Sequence, residues 1–265
     1  MTVSMSPAPF ERQRTDAAED FHEASKITRV PNTGWSSGFF GSLRADAAAA
    51  HELYGRSTSC PRITTEFRLD GTEDVPMSVS EALRRRRSCS SDRLSMPLDL
   101  ATLGCLLKQS YSQDEHGYRP CPSGGGLYPL DLYTVATRVN GLATGLYQFD
   151  PLTNSLWSRP ANLGVFQEAA LKFMRPVAVE SSASILITAS FDRSRYKYGQ
   201  RGYRLCMLEA GHVAQNLLLL STALGLPAIG WVGFVDHEMD DFLGLDGVTQ
   251  SILYIVSVGG AHAEE

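Results

Sequence analysis

Apolar residues recur at helical spacing in several segments, and the clearest of these runs from Arg201 to Leu224. Gly225 and Pro227 follow it, as expected where a helix ends. Its apolar face is predicted to hold Leu205, Leu208, Val213, Leu217, Leu220 and Leu224. The same spacing predicts further helices at 98–110, 164–174 and 236–243.

Other segments are rich in β-branched and aromatic residues, which favours strands. They predict single strands at 130–139, 184–191 and 250–259, a hairpin of 146–149 with 155–159, and a short extended segment at 229–234. Helices come first and then alternate with strands. This order favours an α+β domain in which helices flank a mixed central sheet.

The N-terminal quarter of the chain has a weaker pattern. Residues 1–20 are polar, contain proline and lack periodicity, so we expect them to be disordered. Residues 21–77 are predicted to be an N-terminal extension with a short helix at 44–53. The main domain is expected to span 78–262. Its first helix should begin with a capping box formed by Ser78 and Glu81 and end near Arg87.

Composition narrows the class of protein. A net charge of -5 over 265 residues gives no electrostatic reason to expect nucleic acid or an anionic membrane as a partner. The most apolar window, 217–230, is interrupted by polar residues, glycine and proline, so we expect no membrane span. The five cysteines form no C-x-x-C pair, which argues against a metal site and favours reduced thiols. The first residues contain no signal-peptide core, and we expect a cytoplasmic protein.

The segment RRRRSCSSDR at 84–93 has two interpretations. Arginines at the end of a helix complement its negative dipole end, which spacing alone favours. Guanidinium groups also match phosphate oxygens in a bidentate way, so the segment could instead bind a phosphate.

The segment RPCPSGGGLYPLDLY at 119–133 places three successive glycines between prolines. Glycines let the backbone approach a flat or anionic ligand closely. A plain flexible loop explains the glycines equally well, although the flanking prolines would stiffen it.

A third candidate, RYKYGQRGYR, lies at 195–204, directly before and within the start of the long helix. Neighbouring arginines at 193, 195, 201 and 204 would disfavour a further positive charge on Lys197, which would suit Lys197 and Tyr198 to acid–base work. An exposed basic loop is the simpler interpretation. Further along the helix, Glu209, His212 and Asn216 predict a polar stripe on a buried element, which a structural hydrogen-bond network would also explain.

Together these segments resemble the nitroreductase-like flavoproteins, in particular their azoline-oxidising branch, the SagB-type or McbC-like dehydrogenases. The resemblance rests on RRRRSCSS, PSGGGLYPLDLYTVATRVNGLATGLYQFDP, SRYKYGQRGYRLCMLEAGHVAQN and LGLPAIGWVGFVDHEMDDFLGLDG, with FHEASK near the start. It implies an α+β nitroreductase-like fold, an intertwined homodimer and an FMN cofactor at the subunit interface.

The resemblance also implies where FMN would bind. Arg86, Arg87 and Ser88 would hold its phosphate and ribityl chain, and Glu209 falls near a position that contacts the flavin. A loop of Pro122, Ser123, Gly124 and Gly125 would reach the flavin from the partner subunit. The backbone of Gly230, Trp231, Val232 and Gly233 would lie beside the flavin ring system. Two features depart from the family pattern: Ser90 replaces a frequent basic residue, and the C-terminus GGAHAEE has no lysine or arginine.

In the azoline-oxidising branch a Lys-Tyr pair is the catalytic signature, and Lys197-Tyr198 matches it. The resemblance therefore implies an oxidase that converts thiazolines or oxazolines to azoles on a peptide or carrier-bound substrate, with a cyclase as a possible partner. One alternative is an NAD(P)H-dependent FMN reductase of an alkene, a quinone or a nitro group. Another is a flavin-poor scaffold subunit of a biosynthetic complex.

Overall fold

The computed structural model describes residues 17–26, 65–69 and 75–261, so the predicted helix at 44–53 lies outside the described residues. The helices there are α1 (Ala17–Ala24), α2 (Val79–Arg85), α3 (Leu100–Tyr111), α4 (Leu163–Ala169), α5 (Arg175–Glu180), α6 (Phe191–Tyr198), α7 (Arg201–Ala223) and α8 (Asp236–Leu243). The strands are β1 (Glu66–Arg68), β2 (Leu98–Asp99), β3 (Leu130–Ala136), β4 (Val139–Asn140), β5 (Gly145–Asp150), β6 (Ser155–Arg159), β7 (Ala183–Ser190), β8 (Ala228–Trp231) and β9 (Gln250–Val258). Helix α1 begins inside the stretch predicted to be disordered.

Seven of these strands form one sheet in the order β1-β6-β5-β3-β7-β9-β8. Each neighbouring pair in it is antiparallel, from β1 with β6 at one edge to β8 with β9 at the other. The parallel part of the predicted mixed sheet is confined to the separate pair of β2 and β4. The predicted α+β class is confirmed, with the central sheet antiparallel.

The central strands are buried on both faces because helices cover each side of the sheet. Along β3, Leu132 packs into one apolar cluster with α3 and α7, while Tyr133 packs into a second cluster with α4 and α8. Successive side chains of a strand point to opposite faces, so one strand serves both clusters. The protein is therefore built of helix, sheet and helix layers.

The start of the main domain follows the predicted cap in part. The Ser78 hydroxyl accepts a hydrogen bond from the Glu81 amide at 3.2 Å, as a capping residue does. The Glu81 carboxylate accepts from Arg85 at 3.1 Å, one turn further along α2. Helix α2 ends at Arg85, and Arg86 leaves it with a ψ of 120°.

Three predicted elements have different bounds in the structure. Residues 98–99 form strand β2, because Leu98 and Asp99 pair with β4, and α3 begins only at Leu100. The predicted strand 130–139 ends at Ala136. The predicted helix 164–174 stops at Ala169, since Ala170 turns into an extended conformation and bridges to Phe234. A further short helix, α5, then begins at Arg175.

Helix α6 was missed by the sequence pattern, which predicted a strand to residue 191 and a basic loop beyond it. Only Phe191 and Ser194 of this helix are buried, so it has no apolar periodicity to detect. Its position depends instead on α7: a Cβ atom at Gly202 would lie 2.6 Å from the Arg195 nitrogen. The two helices can pack this closely only because residue 202 is glycine.

Helix α7 buries much of its predicted apolar face, including Val213 and Leu217. Leu208 departs from that prediction, since 55% of it is exposed. Within the described ranges no helix is both long and apolar enough to cross a bilayer.

Candidate active site

Lys197 and Tyr198 form the last turn of α6, at the junction with α7. The Lys197 Nζ atom lies 5.4 Å from the centre of the Tyr198 ring, so the two side chains are neighbours. Gly199 ends the helix with a φ of 55°, a conformation that favours glycine. The pair is half-buried and held where two helices meet, rather than on an exposed basic loop.

The glycine-rich loop, residues 122–126, lies directly against this pair. Gly125 has a φ of 71°, and a Cβ atom there would lie 2.6 Å from the Tyr198 hydroxyl and 2.8 Å from Lys197 Nζ. A Cβ atom at Gly124 would lie 2.8 Å from Leu205 of α7. The loop therefore packs against α6 and α7.

The four arginines around Lys197 each interact with another group. Arg193 forms a largely buried ion pair with Asp131 at 3.4 Å, and Arg195 lies 4.0 Å from Asp192. Arg201 donates to the Ser25 carbonyl at 3.1 Å, and Arg204 donates to the His22 carbonyl at 3.2 Å. The last two fix α1 against the start of α7.

A group of buried polar side chains lies near the glycine-rich loop, between α3, α7 and the start of β3. Tyr111 donates from α3 to Oε1 of Glu209 at 3.1 Å, and the Leu130 amide donates to the same tyrosine hydroxyl at 3.3 Å. The Arg119 guanidinium lies over the rings of Tyr111 and Tyr128, 4.4 and 4.7 Å from their centroids. Burial raises the pKa of Glu209 to about 7, although hydrogen bonds from Ser123 and Tyr111 and the charge of Arg119 oppose it.

The predicted polar stripe on α7 does not form one surface. Glu209 is buried, whereas His212 is exposed. The Asn216 amide donates to the Ser110 carbonyl of α3 at 3.5 Å, the upper limit for such a bond. Glu209 and Asn216 therefore face α3, while His212 faces away from the core.

The arginine segment, residues 86–88, lies near the opposite end of α7. The Cys89 amide donates to the Ala228 carbonyl at 3.1 Å, which attaches the segment to the start of β8. The Arg87 guanidinium donates to the carbonyls of Arg84 and Arg86, at 3.1 and 2.7 Å, while Ser88 is exposed. The side chains on this side of α2 remain accessible to a ligand.

Residues 230–233 comprise the last two residues of β8 and the two that follow it, and they present mainly backbone. The Trp231 side chain is buried, and its indole nitrogen donates to Ser257 at 3.0 Å. A Cβ atom at Gly230 would lie 2.7 Å from the Tyr254 hydroxyl, and one at Gly233 would lie 3.1 Å from the Phe173 ring. Val232 alone directs a large side chain to the surface, with 61% of it exposed.

The predicted site residues thus fall into two groups. The first joins the glycine-rich loop to Lys197 and Tyr198. The second is the arginine segment, which is attached to Ala228 at the start of β8, whereas residues 230–233 form the end of that strand and the residues after it. Leu205 contacts the loop, whereas Leu219 lines a groove with Val79 and Ala82 of α2. These two leucines are about 21 Å apart along the helix.

Sequence reasoning missed Tyr111, which belongs to the buried polar group, and Phe173, which packs on Gly233. Arg119 lay in the glycine-rich candidate segment but was given no role of its own. Tyr111 could not be recognised as a site residue from the sequence, because an aromatic residue in a helix normally indicates core packing. Arg119 could have been suspected from its place directly before the proline-flanked glycines. Nowhere in the described ranges do three histidine, cysteine, aspartate or glutamate residues gather as metal ligands.

The sequence of residues 83–260 matches the model of the nitroreductase family. MJ1384 of Methanocaldococcus jannaschii, assigned to the nitroreductases, is 34% identical over 182 residues, which cover 68% of this chain and 90% of MJ1384. The microcin B17-processing protein McbC of Escherichia coli is 25% identical over 202 residues, 67% of this chain and 66% of McbC.

A solved structure shows the same fold. One chain of the E. coli microcin synthetase McbBCD complex, solved with truncated pro-MccB17 bound, matches with a TM-score of 0.58 and 20% identity. The match covers 93% of this chain and 92% of that one. The nitroreductase-like fold predicted from the sequence is confirmed. The chain therefore belongs to the nitroreductase family and resembles its McbC-like branch.

Proposed function

We propose that this protein is an FMN-dependent oxidase that converts thiazoline or oxazoline rings to thiazoles or oxazoles in the biosynthesis of a peptide natural product. The observation that carries the proposal is the contact of Lys197 and Tyr198 with the Gly125 backbone. Similarity to McbC, a microcin-processing protein, supports the peptide substrate class.

The residues present suit FMN. The guanidinium groups of Arg86 and Arg87 and the Ser88 hydroxyl are of the chemical types that hold a phosphate. At Gly230 and Gly233 the protein's own Tyr254, Phe173 and Met174 occupy the space that a Cβ atom would take, so only backbone and these side chains would face a flavin there. In the glycine-rich loop Gly126 leaves the backbone open to a ligand, since a Cβ atom there would meet nothing within 4 Å, and the positive φ at Gly125 favours glycine.

Aromatising an azoline removes two hydrogens from the ring: one leaves as a proton and the other as a hydride. FMN, when bound, would supply the hydride acceptor, and dioxygen would reoxidise it. The proton requires a base, and Lys197 or Tyr198 is the group we assign to that role. Lys197 and Tyr198 lie where α6 meets α7, and the glycine-rich loop packs against them. This packing would hold the base in a defined position.

The spacing of the two groups supports a homodimer. A flavin held by the arginine segment and residues 230–233 of one protomer would meet Pro122, Ser123, Gly124 and Gly125 of another. The separation of about 21 Å along α7 leaves room for a second chain to contribute one of the two groups. Because the matched structure comes from a synthetase complex, we also propose that a cyclase subunit delivers the substrate.

The second candidate is an NAD(P)H-dependent flavin reductase, which the higher identity to MJ1384 favours. It would use the same residues for FMN but would take the hydride from a nicotinamide. Lys197 would then have no proton to remove from a ring.

The visible spectrum of the purified protein separates these functions. After FMN is added under anaerobic conditions, a synthetic thiazoline peptide should bleach the flavin bands and NADPH should not. Rapid bleaching by NADPH alone would contradict the oxidase and favour the reductase. If the purified protein bound no FMN, the scaffold role would be favoured, and both the oxidase and the reductase proposals would be wrong.

A further inference from the structure

Helix α1 lies outside residues 83–260, the part of the chain that matches the nitroreductase family. It has eight residues, and an isolated helix shorter than about 12–15 residues is marginal in water. Its described side chains are largely exposed, whereas Ser25, directly after the helix, is 2% exposed. The helical conformation of α1 therefore depends on its contacts with the main domain.

Two arginines from the first turn of α7 bind the C-terminal end of α1. The last carbonyls of a helix have no partner within it, so they need donors from elsewhere. Arg204 donates to the His22 carbonyl at 3.2 Å and also to the Ser25 hydroxyl. Arg201 donates to the Ser25 carbonyl at 3.1 Å, and both guanidinium groups complement the negative end of the α1 dipole. Arg204 thus holds two groups at the end of α1 with one side chain.

Aromatic rings extend the contact from α1 to α6. The Phe21 ring of α1 meets the Tyr203 ring of α7 edge to face, with 5.3 Å between their centroids. The Tyr203 ring lies 4.6 Å from that of Phe191, the buried first residue of α6. Such pairs prefer defined geometries and add to the stability gained from burial. Tyr203 therefore joins α1 to both helices of the junction.

Helix α6 has little burial of its own to hold it. Of its eight residues only Phe191 and Ser194 are buried, and the proposed base lies in its last turn. A cleft of about 420 Å³ lies between α1 and α6, with Phe21, Tyr203 and Arg195 among its lining residues. Because α1 does not fill this cleft, its support reaches α6 through Tyr203.

Helix α1 packs on the domain from outside its core. Among the described residues, neither apolar cluster of the domain includes a side chain of α1. Tyr203 borders the first cluster, and Phe21 covers Tyr203. Detaching α1 would therefore leave the core packed while it removed the cover from Tyr203.

We propose that α1 is a strap that positions the proposed base: Arg204 fastens α1 across the junction of α6 and α7, and the strap restrains the end of α6 that carries Lys197 and Tyr198. Only two residues separate α6 from α7, so restraint on the first turn of α7 reaches the end of α6 directly. Arg204 is a positioning residue, since it acts on the pair through α1 and Tyr203. The role of the pair rests on the proposed function, whereas the fastening of α1 does not.

Hydrogen–deuterium exchange of the full chain tests the fastening directly. In Arg204→Gln we expect exchange about tenfold faster than in the wild type over residues 17–26 and 191–200, because local opening there becomes easier. Residues 250–258 of β9 should exchange at the wild-type rate, since that strand belongs to the core. Unchanged exchange over 17–26 would overturn the fastening of α1, and faster exchange there with 191–200 unchanged would overturn its effect on α6. Faster exchange in all three segments would indicate general destabilisation and would also contradict the strap.

Two further variants keep the test decisive. Phe21→Ala breaks the contact of α1 with Tyr203 and leaves both apolar clusters intact, so it should give the same result even if Arg204→Gln failed to fold. Arg68→Gln removes an exposed arginine from β1 and should match the wild type. If Phe21→Ala exchanged like the wild type over 191–200, the restraint of α6 through α1 would be wrong.

Steady-state kinetics with a thiazoline peptide provides the functional readout. In Arg204→Gln and Phe21→Ala, kcat should fall about tenfold while KM and the affinity for FMN stay unchanged, because the base acts in the chemical step. A rise in KM with kcat unchanged would make α1 part of substrate binding and would contradict the positioning role. Failure of the proposed function would instead appear as no turnover by the wild type, with the exchange result unchanged.

Discussion

The two groups of candidate residues differ in what holds them in place. At the start of α7 the glycine-rich loop is packed against Leu205, Lys197 and Tyr198, and a buried polar group lies nearby. At the far end the arginine segment is attached through one backbone hydrogen bond to β8 and directs its side chains outward. Groups that would move a proton are fixed by packing, while groups that would hold a charged ligand are left accessible.

Replacing Gly125 with alanine should have the largest effect on activity, because it disturbs the packed group of residues. The new Cβ atom would displace the ends of Lys197 and Tyr198, the atoms proposed to react. We expect azoline oxidation to fall about 100-fold, since small misplacements of reacting groups have effects of that size. Steady-state kinetics with the thiazoline peptide measures it.

Gly126→Ala is the matched control for that variant. Its φ of 66° causes the same backbone strain, but a Cβ atom there has no neighbour within 4 Å. Equal losses in the two variants would assign the effect to strain and would contradict the contact with Lys197.

The packing of α6 on α7 can be tested at Gly202. A Cβ atom there would lie within 3 Å of the backbone of Ser194 and Arg195, which cannot rotate away. Gly202→Ala should lower the free energy of unfolding by about 2 kcal/mol, as overpacking does. Denaturant unfolding measures the change.

Gly211→Ala, on the same helix, serves for comparison because a Cβ atom at that position meets nothing within 4 Å. It should stabilise the protein by about 0.5 kcal/mol, since alanine is the better helix former. A loss at Gly211 as large as that at Gly202 would show that the helix crossing is not the cause.

A substitution in the accessible arginine segment should have the smallest effect, and it should act on FMN affinity. Arg87→Gln should weaken FMN binding about tenfold, or about 1.4 kcal/mol, by removing a guanidinium from the phosphate site. Fluorescence titration of FMN measures the affinity. Arg85→Gln is the control, since Arg85 pairs with Glu81 on α2, and an equal loss there would point to general charge rather than to a defined site.

The sequence predicted well those elements whose own residues show a clear pattern, and it predicted poorly those that depend on residues elsewhere in the chain. The strands β7 and β9 and the long helix α7 have strong composition and clear endings, and they lie where expected. Helix α6 has hardly any apolar face, so its helical conformation depends on α7 and could not be read from its own residues. Helix α4 ended early because Ala170 bridges to Phe234, a partner more than sixty residues away.

The same limit applied to the prediction of the candidate site. Single residues such as Lys197 and Gly125 were recognised from local motifs, but their contact could not be predicted because it joins two segments far apart in the sequence. Glu209 was seen as part of a polar stripe. Its burial against Tyr111 depends on how α3 packs on α7, which no spacing in the sequence records.

The role of Lys197 is the central claim, and Lys197→Ala tests it most directly. The variant should retain FMN by its visible spectrum while mass spectrometry shows at least a 100-fold slower loss of two hydrogens from a thiazoline peptide. Lys172→Ala, at an exposed lysine, should match the wild type. Oxidation at the wild-type rate by Lys197→Ala with FMN bound would contradict the account.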